Sequence, residues 1–373
     1  MPKSPLLDRL MELNDPRQSA KCTHNLGEVI CMTTCALLCG ADDWNAIAFF
    51  AKMREGWFRQ YLTLPGGIPS HDTFNRIFSL LDPAQFRALF IGWVQDMLID
   101  TPLAGVVAID GKTVRGSRGH NGAIHMVNAW ASEAGISLGH YKVNAKSNEI
   151  TAVPELLDML AIQGCLVTLD AMGCQKRIAT TIRKKEADYL LAVKSNQRTL
   201  HKEVSEHFDR YWQANPDDAP GDGFCAQQTN KHGRLELRRC WVMHDMAQLP
   251  VASGWQAKTI AAVQLDRKTA QKGTSLIRYF IASKELTADE VLRATQQHWH
   301  VENQLHWVLD VAFYEDQSRA RQGYAAENLA TARQIALNLL KQDTKTKLGI
   351  KNKRKLCGWS EDYLFHVLGM LTK

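Results

Sequence analysis

The chain has 373 residues, 45% hydrophobic and 23% charged, and its 45 Lys and Arg against 39 Asp and Glu leave a formal net charge of +6. Those proportions exclude a wholly disordered chain and predict two or three modules around one main core, since single cores rarely grow beyond about 250–300 residues. The mild basic excess permits a polyanionic partner without requiring one.

Residues 1–98 read as a helical module. Asn25 to Leu38 predicts a helix stopped by Gly40, and Asp42 or Asp43 starts another through Phe50. Pro65–Gly66–Gly67 is loop chemistry, Ser70 or Asp72 caps a segment carrying Phe74, Ile77 and Phe78, and Pro83 opens a helix with Phe86, Leu89, Phe90 and Trp93 on one face. The nearly apolar run from Val29 to Ala41 is too short for a bilayer, which takes about 20 residues, and no apolar export-signal core follows the first residues. Nine cysteines form no CxxC pair; Cys31, Cys35 and Cys39 stack along one helix face as buried free thiols, and a reducing cytoplasm is the expected compartment.

The texture changes near residue 104, and residues 104–214 predict the first part of a mixed α/β sheet. Gly105 to Asp110 is a short β-branched run ending in an acid; Ile124 to Ala131 and Ile136 to Val143 are two more strands around a turn at Gly135. A helix over Val153 to Ile162 precedes Cys165 to Asp170, a second apolar strand ending in an acid. A basic helix over Gln175 to Glu186 and a strand over Tyr189 to Val193 follow. Residues 215–284 break this rhythm as a β-rich insertion, entered through the loop Asn215 to Gly221, with strands over Leu235 to His244, Thr259 to Leu265 and Leu276 to Ala282. In residues 285–340, Thr287 with Glu290 is a capping box opening a long helix, followed by a closing helix. Residues 341–373 begin with a basic run of Lys341, Lys345, Lys347, Lys351, Lys353, Arg354 and Lys355 against one acid, Asp343, which reads as a solvated face or a polyanion contact.

An Asp at the carboxyl end of a strand points into the crevice where α/β sheets hold ligands. Asp110 and Asp170 each occupy such a place, and if their strands are neighbours the two carboxylates converge. Either one alone is accounted for equally by turn chemistry. On the long helix, Ala294, Val301, Leu305, Val308 and Ala312 form the apolar stripe, and Glu302 sits at its edge, about 100° around from Val301. Asp310, Glu315 and Asp316 are rival acids. His298 and His306 flank Glu302 four residues away on either side, but the HExxH zinc pattern is absent. Converging carboxylates without Cys suit Mg²⁺ or Mn²⁺ and phosphoryl transfer by two metal ions. Lys112, on the face of Asp110 if its strand continues, is placed to meet a scissile phosphate. Arg319 and Arg321 follow the helix as backbone-contact candidates.

The string Ala108–Ile–Asp–Gly–Lys–Thr–Val–Arg–Gly–Ser117 resembles the first-Asp motif of bacterial insertion-sequence DDE transposases of the group that includes H-repeat-associated, Rhs-linked proteins. His298–Trp–His–Val–Glu–Asn303, continuing to Asp316, is similar to that group's Glu motif. Leu169–Asp170–Ala171 and Leu191 to Gln197, with Lys194, resemble the segments around its second Asp. His232–Gly–Arg234 with Glu236 and Arg238 looks like its insertion signature, and Gly40 to Trp44 with Gly67 to Phe74 like its N-terminal associated module. The likeness runs from about residue 6 to 370.

It implies an RNase H-like mixed sheet with a β-rich insertion before the Glu-bearing helix, and Asp110, Asp170 and Glu302 as metal-holding catalytic acids. It also implies DNA partners: the inverted-repeat ends of an element and a target, held by a homodimer on paired ends. Lys112, Arg115, Lys194, His298, His306, Arg319 and Arg321 are the expected DNA contacts. The wider superfamily's Tyr, Arg and Lys around the Glu are replaced by Thr295, His298 and Leu309, so its phosphate contacts and hairpin route are not carried over. A DNA-binding relic acting as a regulator is the alternative.

Overall fold

A computed structural model describes residues 5–18, 22–99, 103–119, 122–144, 147–215, 223–231, 234–268 and 273–369. Most of the insertion's entry loop (residues 216–222), and His232 and Gly233 of its signature, lie outside them.

The N-terminal helices are α1 (Pro5–Met11), α2 (Leu26–Leu38), α3 (Trp44–Met53), α4 (Glu55–Phe58), α5 (His71–Leu80) and α6 (Pro83–Met97), and local capping chemistry starts α2, α3, α5 and α6. Asn25, Asp43, Ser70 and Asp82 each accept a first-turn backbone N–H; of the expected alternatives Asp43 rather than Asp42, and Ser70 rather than Asp72, is the cap. Gly40, at φ 93°, ends the first long helix in a conformation other residues avoid. All nine cysteines are free thiols, and among the described residues no helix is long and apolar enough to cross a membrane.

The described strands form one sheet in the order β3-β2-β1-β4-β5-β9-β8-β7-β6. They are β1 (Val106–Gly119), β2 (Gly122–Ala131), β3 (Ile136–Val143), β4 (Leu166–Leu169), β5 (Asp188–Val193), β6 (Phe224–Lys231), β7 (Arg234–Met243), β8 (Thr259–Lys268) and β9 (Gly273–Ala282). β1 pairs antiparallel with β2 and parallel with β4, and β4 pairs parallel with β5, which is the RNase H-like arrangement. Helices α7 (Glu149–Met159) and α8 (Lys176–Lys184) supply the crossovers. The inserted strands join the same sheet, because β9 pairs antiparallel with β5. β6 and α9 (Arg198–Ala214) are among the elements that escaped the sequence reading. β6 is an edge strand of mostly polar residues, and α9 carries Leu200, Val204 and Phe208 buried at a helical spacing of four.

After the short α10 (Pro250–Ser253), the Thr287 capping box opens α11 (Ala288–His298) as expected. The long helix is interrupted, however: Val301–His306 forms a π-turn before α12 (Trp307–Ala312). The closing helix α13 (Ala325–Gln342) is the spine of the molecule, buried along almost its whole length between the N-terminal helices and the sheet. One apolar cluster runs through all three layers, from Leu6 to Leu368. Two buried amides of α13 tie it to both neighbouring layers: Asn328 Nδ2 donates to the carbonyls of Phe78 and Leu81, and Asn338 bonds both backbone groups of Ser137.

The basic C-terminal run is corrected by the structure. Lys345, Lys347, Lys351 and Lys355 are exposed, but Lys353 and Arg354 are buried in α14 (Ile350–Trp359), which leads into α15 (Glu361–Val367). Lys353 donates to the Leu340 carbonyl at 3.1 Å. Arg354 bonds the Leu37 carbonyl at 2.7 Å and Asp42 at 2.6 Å, and lies over the Phe313 ring. Arg354 thus staples α14 to the N-terminal helices and Lys353 ties it to the end of α13, so neither faces solvent.

Candidate active site

Strand register brings the first two acids together. Ile109 pairs with Leu169 across the parallel β1–β4 ladder, so Asp110 and Asp170 each follow one member of the same pair. Asp170 lies just past the end of β4, and its Oδ1 accepts from the backbone N–H of Met172 at 2.9 Å in a tight turn. It therefore fills the turn-forming role and still lines the cleft. Asp110 departs from expectation: β1 does not end there but continues to Gly119 along β2, so Asp110 sits at the point where its parallel neighbour runs out.

Glu302 comes from the π-turn, an irregularity frequent at functional sites. Its side chain is 54% exposed and opens into a cleft also lined by Asp110, Asp170, Lys194 and Arg278. The two flanking histidines diverge. His298 Nδ1 lies 3.0 Å from Thr168 Oγ1 on β4. His306 is buried over β1 and β2, with Nδ1 3.1 Å from Glu302 Oε2 and 3.6 Å from Asp110 Oδ2. Ligand atoms of Asp110, Glu302 and His306 all lie within 4.8 Å of one another, a spacing that fits one metal ion. Asp170 lines the same cleft outside that group.

Burial pushes the Asp110 carboxyl up to about 7, and the carboxylates of Glu149, Asp170 and Glu302 add to the shift. Burial also pushes His306 down to about 4 and lowers His298, so both imidazoles are neutral near neutrality. An acid held this far above its ordinary range, by burial first and then by like charges, marks a place short of positive charge. Hard carboxylate oxygens are the donors that Mg²⁺ and Mn²⁺ take.

The remaining expected DNA contacts separate. Lys112 does lie on the face of Asp110, but it is buried, with its ammonium 2.6 Å from Asp310, 3.2 Å from Glu315 and 3.5 Å from Asp316. Burial alone would lower its pKa; the three carboxylates outweigh that and raise it. The expectation that it meets a phosphate is therefore corrected: Lys112 is spent on tying β1 to the segment after the Glu helix. That pairing also explains the rival acids, since Asp310, Glu315 and Asp316 are its counter-charges. Arg115 is exposed, and its backbone N–H donates to Asp316 at 3.0 Å. Arg321 donates to the Gly116 carbonyl at 3.0 Å, and Arg319 lines a separate cleft beside Asp42, Trp44 and Tyr314. Lys194 remains exposed at the cleft itself. In the insertion, Glu236 is held by Arg234, Arg238 and Arg267, an internal clamp on β7 and β8.

Several groups of the site were not singled out from the sequence. Glu149, at the start of α7, places a fourth carboxylate near Asp110 and pairs with His125 at 2.6 Å. Gly111 makes room for it: a Cβ there would fall 2.1 Å from Glu149 Oε1. Asn128 stands directly opposite Asp110 on β2, and Arg278 arrives from β9. Nothing local marks these residues. A His on one strand and a Glu opening the following helix were the only available signals.

The family model described as "Transposase DDE domain" matches residues 101–339, and the model described as "DDE_Tnp_1-associated" matches residues 7–94. The protein named "Putative transposase YncI" of Escherichia coli O157:H7 is 42% identical, with 99% of this chain and 95% of that protein covered. "H repeat-associated putative transposase YhhI" of Escherichia coli K12 is 38% identical, with 97% of each covered. Among solved structures, a piggyBac transposase synaptic complex with hairpin DNA matches at a TM-score of 0.44 and 11% identity, over 99% of this chain and 79% of that one. The chain thus belongs to the family of transposases with a DDE domain.

Proposed function

We propose that the protein cleaves DNA strands at the ends of an insertion sequence and joins them to a target, with Asp110, Asp170 and Glu302 holding two divalent cations, Mg²⁺ or Mn²⁺. The observation that carries this reading is the convergence of Asp110 and Asp170, one residue past a shared strand pair, on the cleft into which Glu302 opens. When bound, the cations supply activation of the attacking hydroxyl and neutralisation of the leaving oxygen. The chain's own part is positioning. The sheet holds two acids at fixed separation, the π-turn presents the third from the opposite wall, and Lys194 and Arg278 offer positive charge to a phosphate entering the cleft. The substrate is DNA carrying the element's inverted-repeat ends, engaged by a homodimer.

The test incubates purified protein with labelled terminal DNA and Mg²⁺ or Mn²⁺. Wild type should nick at the ends and join them to a target plasmid, and Asp110→Asn, Asp170→Asn and Glu302→Gln should abolish both while end binding persists. Cleavage surviving any one substitution removes that residue from the mechanism. End-specific binding by wild type with no nicking under either metal would favour a regulator over an enzyme.

A further inference from the structure

His306 is the third member of the group that fits one metal ion, yet its surroundings assign it another role. Behind it runs a buried chain of amides. Ser137 Oγ donates to Gln334 Oε1 at 2.7 Å, and Gln334 Nε2 donates to Asn128 Oδ1 at 2.9 Å. Asn128 Nδ2 then lies 3.3 Å from the Met126 carbonyl and 3.2 Å from His306 Nε2. The carbonyl of Met126 can only accept, so the Asn128 atom facing it is the amide nitrogen, and that nitrogen has only hydrogens to offer His306. Nε2 must therefore accept, and in a neutral imidazole the proton then resides on Nδ1. Nδ1 is the atom 3.1 Å from Glu302 Oε2.

We infer that His306 is a positioning residue and not a metal ligand: Asn128 locks it as the Nδ1–H tautomer, and that N–H holds the Glu302 carboxylate facing Asp110. Nδ1, on the carboxylate side, carries a hydrogen in place of a free lone pair. Nε2, which has the lone pair, is turned away onto Asn128. The constraint is needed because Glu302 is over half exposed and sits on a π-turn, where nothing else among the described residues orders its carboxylate. Asn128, Gln334 and Ser137 are all buried, so the lock is anchored in the core between β2, β3 and α13. The inference rests on the proposed metal chemistry only for its purpose; the tautomer stands on the hydrogen-bond polarity alone.

Two readouts test it. Long-range ¹H–¹⁵N spectra of histidine-labelled full-length protein should show His306 as the Nδ1–H tautomer, and Asn128→Asp, whose carboxylate only accepts, should add a proton on Nε2 while Glu302 still accepts from Nδ1, giving the imidazolium spectrum. An Nε2–H tautomer in wild type overturns the inference, and so does an Asn128→Asp spectrum that does not change. The second readout is Mn²⁺ binding followed by pulsed electron paramagnetic resonance. No ¹⁴N coupling from His306 to Mn²⁺ is expected; a coupling that vanishes in His306→Asn would make it a ligand. His306→Asn sets an amide N–H at the Nδ1 position and should keep Mn²⁺ affinity within about threefold, while His306→Ala should lose about 10–100-fold, the range for groups that orient ligands. Equal losses in both variants overturn positioning. If wild type binds no Mn²⁺, the proposed function falls while the tautomer spectra still judge the lock.

Discussion

Asp110 should be a liability to the metal-free fold, and Asp110→Asn should relieve it. The carboxyl is pushed from an ordinary 3.8 to about 7, by burial first and then by the carboxylates of Glu149, Asp170 and Glu302. That interval corresponds to about 4 kcal/mol at ~1.4 kcal/mol per pH unit. The side chain keeps 30% of its surface exposed, and solvent screening brings the expected effect to about 2 kcal/mol. Because the folded-state value is raised, the stabilisation from the neutral acid is complete below 3.8 and is lost as pH rises through about 7. Urea denaturation in the presence of a chelator, repeated from about pH 4 to about pH 8, should show wild type falling by about 2 kcal/mol relative to Asp110→Asn across that range. Mg²⁺ or Mn²⁺ should restore wild type above about pH 7 and leave the variant unmoved. Parallel pH profiles for the two proteins, or a variant less stable than wild type at the alkaline end, would refute the account of this site as an uncompensated carboxylate cluster.

Lys112→Met should cost about 3–5 kcal/mol, because it leaves Glu315, 1% exposed, without its cation. Burial already raises the Glu315 pKa, so the loss should be greater at about pH 8 than at about pH 5, where the acid can take a proton. A loss below about 1 kcal/mol at both, measured by urea denaturation, would show the pair to be dispensable. Gly111→Ala should destabilise by about 1–3 kcal/mol, since the added methyl would sit 2.1 Å from Glu149 Oε1 and 2.7 Å from His125 Nε2. A crystal structure of the variant should show the His125–Glu149 contact broken; an unchanged contact would mean that β1 yields instead.

What the sequence determined by itself is local. Side-chain oxygens at Asn25, Asp43, Ser70, Asp82 and Thr287 satisfy N–H groups three residues or fewer away, so they start helices wherever the chain goes next. Apolar runs before Asp110 and Asp170 marked the two central strands, because strands covered on both faces have no polar alternation to confuse them with loops. Long motif strings carried the family and the RNase H-like fold. The edge strand β6 was missed because most of its residues are polar and its hydrogen bonds come entirely from a partner strand.

Only the tertiary structure decided which charges face which. Nothing in the sequence separates Lys112 from Lys194 as a phosphate contact. In the fold, one is enclosed by Asp310, Glu315 and Asp316 and the other is left open at the cleft. Lys353 and Arg354 belong to a run that reads as solvated, yet Lys353 is buried against a carbonyl at the end of α13 and Arg354 against one of the distant α2. Glu149, Asn128 and Gln334 acquire their relation to Asp110 and Glu302 only when α7, β2 and α13 close around β1. The energy of a charge or an amide depends on the partners and solvent within a few ångströms of it. Those partners are contributed by segments far apart in the chain, so the polar half of the site is a property of the packing rather than of any string of residues.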